Sequence, residues 1–341
     1  MSLRRILVCG GAGYIGSHMT KYLAARSIEP VVLDNLSTGH RRMVRWGELI
    51  EADLLDADAL DRAFASRPPF DAVMHFCARS LVGESVQAPY DYYLNNVSGT
   101  LNLLQAMQRH GVDRIVFSST AAVFGPPQAE RIDEDHPKAP INPYGASKLM
   151  VERMLADAAH AYGLRSVSLR YFNAAGASPD GDIGEAHDPE THLLPNVLRA
   201  ALGTGLGLKI FGNDWPTPDG TCVRDYVHVD DLAQAHLLAL DYMTHHPGAH
   251  AFNLGNGDGH SVMQAIRSVE ALTGRSVPFE FAPRRSGDPA VLVASSERAS
   301  KELGWQPVYR DLESIIETAW RWHKREAAPA SSSAPPGSAT S

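Results

Sequence analysis

A glycine-rich loop directly follows the first apolar run of the chain. The run RILVCG covers residues 5–10, and GGAGYIG covers residues 10–16, which gives the glycine spacing G-x-x-G-x-x-G. At a turn from a strand into a helix, such glycines let the backbone approach a pyrophosphate, whose charge the helix N-terminus stabilises. Glycine clusters occur in many turns, so the position after a strand is what makes this loop informative.

Five short β-branched runs alternate with long helical patterns in the first half of the chain. They cover residues 5–10, 30–34, 71–76, 114–120 and 165–173. Buried strands separated by helices favour right-handed crossovers and a parallel sheet covered on both faces. We therefore predict an α/β protein with a doubly wound parallel sheet of the Rossmann type and a smaller α/β domain.

The sequence changes in character after Asn173, where loops rich in Gly, Pro and Asp alternate with shorter elements. We predict a dinucleotide-binding Rossmann domain at residues 1–173 and a substrate-binding domain at 174–326. The pattern at about 223–245 predicts a strand and a helix that return to the first domain. The segment 327–341 is of low complexity and is expected to be disordered.

Charge and composition exclude some classes of partner. The chain has 31 basic and 39 acidic side chains without a long basic run, which argues against nucleic acid and an anionic membrane surface. Its apolar stretches are too short for a membrane span or a signal peptide. The three cysteines lack metal-ligand spacing and indicate free thiols of a reducing compartment. We expect a cytoplasmic protein without a metal site.

Asp34 at the end of the second predicted strand indicates which dinucleotide binds. Its carboxylate can accept hydrogen bonds from an adenosine ribose and would repel a 2′-phosphate, so we predict NAD rather than NADP. Arg41 and Arg42 are the evidence against this, because arginines accommodate that phosphate. Asp53 either contacts the adenine or caps the following helix, and the sequence leaves both open.

Polar residues at the carboxyl ends of the strands are candidates for the active site, because ligands of open parallel sheets bind there. They are Asp34, His75, Ser118, Ser119, Thr120 and Asn173. Hydroxyls at strand ends are often caps or turn formers, and Ser118 and Ser119 could be no more than that. Thr120 ends its run, so it is the better candidate for a position in the crevice.

The segment NPYGASK places Tyr144 and Lys148 one helical turn apart. At 100° per residue the two lie within about 40° of each other, on a stripe that continues through Val151 and Leu155 to Tyr162. That stripe should pack on the sheet and direct both polar residues into the crevice. An ammonium beside a phenol favours the phenolate, so Tyr144 is a candidate general base. Chance alone also produces an ordinary tyrosine and a solvated lysine at this spacing.

The chain is identified as a member of the extended short-chain dehydrogenase/reductase family, and it resembles the members that epimerise UDP-sugars at C4. The resemblance runs from about residue 5 to about 322. It rests on the stretches GGAGYIGSH, LDNLSTG, VGESVQ, NNVSGT, NPYGASKLMVE, LRYFNAAGA, FGNDWPTPDGT, VRDYVHVDDLA, NLGNG and FAPRRSGD.

The resemblance implies residues for each part of the site. Catalysis falls on Tyr144 as the base, with Lys148 and Thr120. NAD binding falls on Gly10, Gly13, Tyr14, Ile15, Gly16, Asp34, Asn35, Asp53, Leu54, Phe76, Asn95, Tyr144, Lys148 and Tyr171. The nucleotide-sugar site falls on Thr120, Asn173, Leu193, Phe211, Arg224, Tyr226, Arg285, Asp288 and Leu292.

Three positions depart from the family pattern. Ser80 replaces a lysine common after this strand, so a phosphate contact is missing or is supplied by Arg79. Thr120 replaces a serine, and its hydroxyl can do the same hydrogen bonding. Leu292 stands where some members have tyrosine and others a small residue; it borders the C2 group of the sugar, so acceptance of an N-acetyl group stays open.

The reaction that the resemblance implies is the interconversion of UDP-galactose and UDP-glucose in galactose metabolism. C4 is oxidised, the 4-keto sugar rotates, and hydride returns to its other face. A nucleotide-sugar dehydratase is the rival within the fold, but Ala121 and Ala122 occupy the places of its additional acid and base. A non-catalytic NAD-binding regulator could dispense with Tyr144 and Lys148. The family also forms homodimers, and the apolar helices near 95–110 and 149–162 permit one.

Overall fold

A computed structural model of the chain describes residues 3–65, 68–205, 207–285 and 288–328. The strands are β1 (Arg5–Cys9), β2 (Glu29–Asp34), β3 (Glu48–Glu51), β4 (Ala72–His75), β5 (Arg114–Thr120), β6 (Arg165–Tyr171), β7 (Asn173–Ala175), β8 (Leu208–Phe211), β9 (Val223–Arg224), β10 (Tyr226–His228), β11 (Ala249–Leu254), β12 (His260–Ser261), β13 (Phe279–Ala282) and β14 (Val291–Leu292).

The helices pack on both faces of the main sheet and within the second part of the chain. They are α1 (Tyr14–Ala24), α2 (Ala57–Phe64), α3 (Val82–Gln87), α4 (Pro89–Tyr92), α5 (Gly99–Arg109), α6 (Pro143–Tyr162), α7 (Leu193–Leu202), α8 (Val229–His245), α9 (Val262–Thr273) and α10 (Leu312–Ala327). The described helical segments also include 3-10 turns at Arg41–Met43 and Ala121–Val123 and π-helical segments at Tyr93–Ser98 and Ala299–Leu303.

Seven parallel strands form the central sheet, in the order β11-β6-β5-β4-β1-β2-β3. This order reverses between β1 and β4, which is the switch point where a doubly wound fold binds its ligand. The predicted fold class is confirmed. The five predicted strands all occur, although the run at 165–173 divides into β6 and β7. Strands β3 and β11 were not predicted.

Helix α8 packs against α1, β5 and β6, in the same core as β11. A second core joins α7, α9 and α10 with β8 and β10. The domain boundary drawn from the sequence stays a prediction. Helix α10 runs to Ala327, and residues 329–341 of the predicted tail lie outside the described residues. No described helix combines the length and the apolar character that crossing a bilayer requires.

Helix α6 carries the predicted apolar stripe. Asn142 caps its N-terminus by accepting a hydrogen bond of 2.8 Å from the Gly145 N–H, and Pro143 occupies its first turn. Val151 and Leu155 are buried against the sheet. The stripe does not extend to Tyr162, which is 67% exposed at the end of the helix.

Candidate active site

The glycine loop joins β1 to α1 with the geometry that a pyrophosphate requires. A Cβ at Gly16 would overlap the carbonyl oxygen of Gly10, and Gly10 itself has φ +82° with the backbone of Cys77 close by. A Cβ at Gly13 would meet no described atom nearer than 3.4 Å, so this side of the loop is open. No described side chain caps α1. Its free N–H groups and positive dipole end suit a phosphate.

Asp34 lies 7% exposed at the end of β2, and its carboxylate faces this loop. Its two oxygens accept hydrogen bonds from the N–H groups of Ala12, at 2.9 Å, and Leu36, at 2.8 Å. Burial raises the pKa of Asp34, and these two hydrogen bonds oppose that increase. Arg41 is paired with Glu51, and Arg42 is paired with Glu326. The site therefore fits the hydroxyls of a ribose better than a 2′-phosphate.

Asp53 is not a helix cap. Asp56 caps α2, with its Oδ1 accepting from the Ala59 N–H at 2.9 Å. The Oδ2 of Asp53 accepts a hydrogen bond of 2.8 Å from the side-chain amide of Asn35. The capping alternative is therefore excluded, and Asn35 and Asp53 lie together beside the end of β2.

The remaining predicted cofactor residues take different positions. The Tyr14 side chain is buried, and its hydroxyl donates to the Gly176 carbonyl at 2.7 Å. A contact of Tyr14 with a phosphate would therefore come from its backbone N–H. Asn95 donates to the Cys77 carbonyl at 3.2 Å. The Phe76 and Tyr171 rings both pack on His236. Ile15 is half-buried in α1, and Leu54 is buried after β3.

Lys148 is the most constrained residue of the candidate site. It is 3% exposed, and its Nζ donates a 2.6 Å hydrogen bond to the Ser118 carbonyl at the end of β5. The Nζ lies 5.9 Å from the centre of the Tyr144 ring and 4.7 Å from that of Phe117. Burial lowers the pKa of Lys148 to about 7. A lysine of this kind is readily moved between its charged and neutral forms.

Tyr144 lies in the first turn of α6, in contact with the Thr120 side chain. Burial raises the pKa of Tyr144, and its hydrogen bond with Thr120 opposes this effect. The lowering of this pKa that the sequence predicted from Lys148 is therefore not found in the protein alone, where only the Thr120 hydrogen bond opposes the effect of burial. A cationic nicotinamide ring bound nearby would supply the positive charge that favours the phenolate.

Three of the strand-end candidates have structural contacts. His75 is buried, with its Nε2 2.9 Å from the Thr100 hydroxyl. The Ser119 hydroxyl donates to Glu152 at 2.6 Å, and the Ser118 hydroxyl lies 3.5 Å from His236. These side chains position neighbours, whereas Thr120 accepts from the Ala122 N–H and turns the chain after β5.

The predicted nucleotide-sugar residues collect on the short strands after β7. Arg224 in β9 pairs with Leu292 in β14, and its guanidinium lies 3.8 Å from the Asp288 carboxylate. The Arg285 guanidinium lies 3.8 Å from the centre of the Phe211 ring, which is a cation–π contact. Leu193 begins α7.

Leu292 connects this region to the catalytic end of β5. It packs against the cluster of Val123, Phe124 and Ile132, of which the first two closely follow Thr120. Asn173 pairs with Tyr226 of β10, and Tyr226 is buried within the second core. The predicted substrate and catalytic residues therefore share a connected part of the structure.

Asp225 is a residue of this region that the sequence analysis missed. It is fully buried, and its carboxylate accepts hydrogen bonds from the N–H groups of Asn256 (2.8 Å), Gly257 (3.0 Å) and Ala294 (3.1 Å). Burial raises its pKa to about 6. It fixes the backbone between Arg224 and Tyr226, and its position within the VRDYVHVDD stretch is the signal that could have found it.

Ser80 is exposed, and Arg79 pairs with Glu84 at 3.3 Å. The Arg79 guanidinium is therefore engaged on the surface.

Known proteins resemble this chain over almost its full length. The family described as "NAD dependent epimerase/dehydratase family" matches residues 6–255. A UDP-glucose 4-epimerase of Halalkalibacterium halodurans is 51% identical over 319 residues, which cover 94% of this chain and 95% of that protein.

Two solved structures share the whole architecture. The UDP-glucose 4-epimerase of Brucella ovis in complex with NAD superposes with a TM-score of 0.90 at 50% identity, covering 93% of this chain and 97% of that one. The UDP-Glc/GlcNAc 4-epimerase of Campylobacter jejuni superposes with a TM-score of 0.81 at 43% identity, covering 94% and 99%.

Proposed function

This chain belongs to the NAD dependent epimerase/dehydratase family, and we propose that it interconverts UDP-glucose and UDP-galactose by epimerisation at C4. The observation that carries the proposal is the position of Tyr144, Thr120 and Lys148 at the end of β5, beside the switch point of the sheet. NAD is the cofactor, and it supplies the chemistry of accepting hydride from C4 and returning it.

Tyr144 removes the proton from the 4-hydroxyl as C4 is oxidised, and it returns a proton when C4 is reduced. Thr120 holds the same hydroxyl through its own side chain. Lys148 is fixed by the Ser118 carbonyl and contributes positive charge on the cofactor side of the Tyr144 ring. Because burial raises the pKa of Tyr144, that charge is needed to make the phenolate accessible near neutral pH.

The sugar nucleotide lies against the second part of the chain in this proposal. Arg224 and Arg285 neutralise the diphosphate, since planar guanidinium groups bind phosphate oxygens in pairs. Phe211 supports Arg285 through their ring contact and offers a flat surface to the uracil. Leu193, Tyr226, Asp288 and Asn173 complete the predicted contacts.

An assay without an added reductant tests this function. Purified protein is mixed with UDP-galactose, the products are separated by chromatography, and their masses are measured by mass spectrometry. Formation of UDP-glucose with unchanged substrate mass supports epimerisation. Loss of water would instead indicate a dehydratase, and NAD-bound protein without turnover on any UDP-sugar would indicate a regulator.

A second candidate activity is the epimerisation of UDP-GlcNAc as well. The support is the 43% identity to a protein described as acting on both sugars, together with Leu292, which is smaller than the tyrosine of some relatives. Leu292 is half-buried against the cluster that contains Phe124. A leucine at this position leaves more room beside C2 than a tyrosine ring would.

We also propose that two copies associate through α5 and α6. Leu101 of α5 and Met150 of α6 are exposed large apolar side chains, and Val86, Tyr90 and Leu94 are exposed on the segments from α3 to α5. Apolar surface of this kind marks an interface between proteins. Sedimentation analysis of Leu101→Glu tests this: the parent should be a dimer and the variant a monomer, and a monomeric parent would contradict the proposal. Location in the cytoplasm stays a prediction.

A further inference from the structure

Four side chains of one loop converge ahead of α7. Glu185, His187, Glu190 and His192 each offer one possible ligand atom, and the four atoms lie within 4.8 Å of one another. The His192 Nδ1 is 2.7 Å from Oε1 of Glu185 and 3.1 Å from Oε1 of Glu190. The His187 Nδ1 is 3.0 Å from Oε1 of Glu185. None of these side chains has a part in the proposed reaction.

The two carboxylates of this cluster are buried. The Glu185 side chain is 5% exposed and the Glu190 side chain is 1% exposed. The Glu190 Oε1 accepts hydrogen bonds from the N–H groups of Thr191 and His192, both at 2.9 Å. Its Oε2 has no hydrogen-bond partner among the described residues, and the Arg199 Nη2 is 4.0 Å away. Burying a carboxylate oxygen without a partner costs free energy, and a bound cation next to the Glu190 Oε2 would remove that cost.

The groups around the cluster hold the loop through its backbone. The Trp322 indole donates to the Glu185 carbonyl at 2.9 Å, and the His40 Nε2 lies 2.7 Å from the Ala186 carbonyl. The Tyr14 ring meets His187 edge-on at 6.4 Å. The loop backbone is thus fixed from α1, from the segment after β2 and from α10.

We propose that Glu185, His187, Glu190 and His192 bind one divalent transition-metal ion, of which Zn²⁺ is the best match. Two imidazole nitrogens and two carboxylate oxygens suit this class of ion. Ligand atoms about 2.1 Å from an ion are about 3.0 to 3.4 Å apart, close to the spacing of the nearest pairs here. The +2 charge of the ion balances the −2 charge of the two ionised carboxylates.

Access to the site is open on one side. The rings of His187 and His192 are 32% and 40% exposed, so an ion can enter from solvent. The ion ties together the ends of the loop that leads into α7 at Leu193. Its role is to stabilise the folded chain, and no step of the reaction passes through it. The sequence analysis expected no metal site.

Metal binding by the untagged full-length protein tests the proposal. The NAD-loaded protein is stripped with a chelator, desalted and titrated with Zn²⁺ by calorimetry, and the bound metal is counted by elemental analysis. We expect one ion per chain and a rise of the Tm with the Zn²⁺ concentration, because an ion that binds the folded state stabilises it. Glu190→Gln and His192→Gln should weaken Zn²⁺ binding about a hundredfold or more.

The matched control is the double variant His246→Gln/His250→Gln, which removes one exposed and one half-buried histidine whose rings are 6.4 Å apart. It should bind Zn²⁺ as the parent does. If Glu190→Gln does not fold, His187→Gln carries the test, because its ring is partly exposed. Binding well below one ion per chain, or binding that depends on His246 and His250 rather than on the loop, would show a plain ion-pair cluster and overturn the proposal.

Discussion

The ammonium of Lys148 donates a 2.6 Å hydrogen bond to the carbonyl oxygen of Ser118. This bond joins the second turn of α6 to the end of β5 and places the Lys148 Nζ 5.9 Å from the centre of the Tyr144 ring. A lysine that is 3% exposed keeps its position without side-chain freedom. The relationship between these two residues underlies the first prediction.

Replacing Lys148 with methionine should slow turnover about a hundredfold or more, because it removes a charge that helps Tyr144 act as a base. It should also shift the pH dependence. Activity requires the Tyr144 phenolate, so it rises with pH through the pKa of Tyr144, and loss of the neighbouring charge raises that pKa further. The acidic limb of the kcat profile should therefore move to higher pH. An unchanged limb would mean that Lys148 acts on something other than Tyr144.

Arg285→Ala should raise the KM for UDP-galactose about tenfold or more with a smaller change in kcat, since charge-assisted hydrogen bonds contribute about 1.5 to 3 kcal/mol. The matched control is Arg284→Ala one residue earlier. The Arg284 guanidinium is paired with Asp214 and lies 4.2 Å from the centre of the Trp215 ring. Steady-state kinetics measure KM and kcat for both variants and for the parent. Equal effects on KM would remove Arg285 from the diphosphate site.

Leu292→Tyr should reduce any activity on UDP-GlcNAc about tenfold or more and leave activity on UDP-galactose within a few-fold, because a larger side chain restricts the space beside C2. The measurement is kcat/KM for both sugars, side by side, for parent and variant. If the variant turns over UDP-GlcNAc as fast as the parent does, the role given to Leu292 is contradicted. A parent inactive on that sugar would restrict the enzyme to the unacetylated pair.

Acid should weaken the fold through His236, which is fully buried with its Nδ1 2.8 Å from the Leu232 carbonyl. Burial lowers its pKa from 6.5 to about 4. Between these values the unfolded chain binds a proton that the folded chain does not, so the free energy of unfolding falls as pH decreases from about 6.5 to about 4.

Urea unfolding at several pH values measures this contribution as a difference between parent and His236→Phe. Other groups have the opposite effect on the free energy of unfolding, notably Asp225, because burial raises its pKa to about 6. Their contributions are the same in both proteins, so they cancel when the variant is subtracted from the parent. The slope against pH should be smaller in the variant by up to about 1.4 kcal/mol per pH unit in this window. Identical slopes would show that His236 is protonated in the folded state.

The sequence predicted the parts of this protein that depend on local signals. Asn142 and Pro143 mark the start of a helix, and the period of the apolar residues then places Lys148 on the buried face. The glycine spacing after β1 likewise reports a backbone approach that a Cβ at Gly16 would block. Such features depend on a few adjacent residues, so the sequence predicts them without knowledge of the fold.

Features that depend on distant contacts were missed or left open. Asp53 and Asp56 lie three residues apart and both resemble a helix cap, and only the folded chain shows that Asp56 has this role. Strand β11 has the sequence AHAFNL, which lacks a β-branched run, so its strand character shows only in its pairing with β6 at the edge of the sheet. The His and Glu residues of EAHDPETH are visible in the sequence, but their burial depends on α10 and α7.

The substitution Tyr144→Phe tests the central claim most directly, because it removes one hydroxyl and keeps the ring packed against Tyr92 at 6.5 Å. Conversion of UDP-galactose to UDP-glucose by the purified, NAD-loaded variant is compared with the parent, with folding checked by circular dichroism. We predict a fall in kcat of at least about a hundredfold, as expected for loss of a general base, with NAD still bound. Full turnover by this variant would contradict the account.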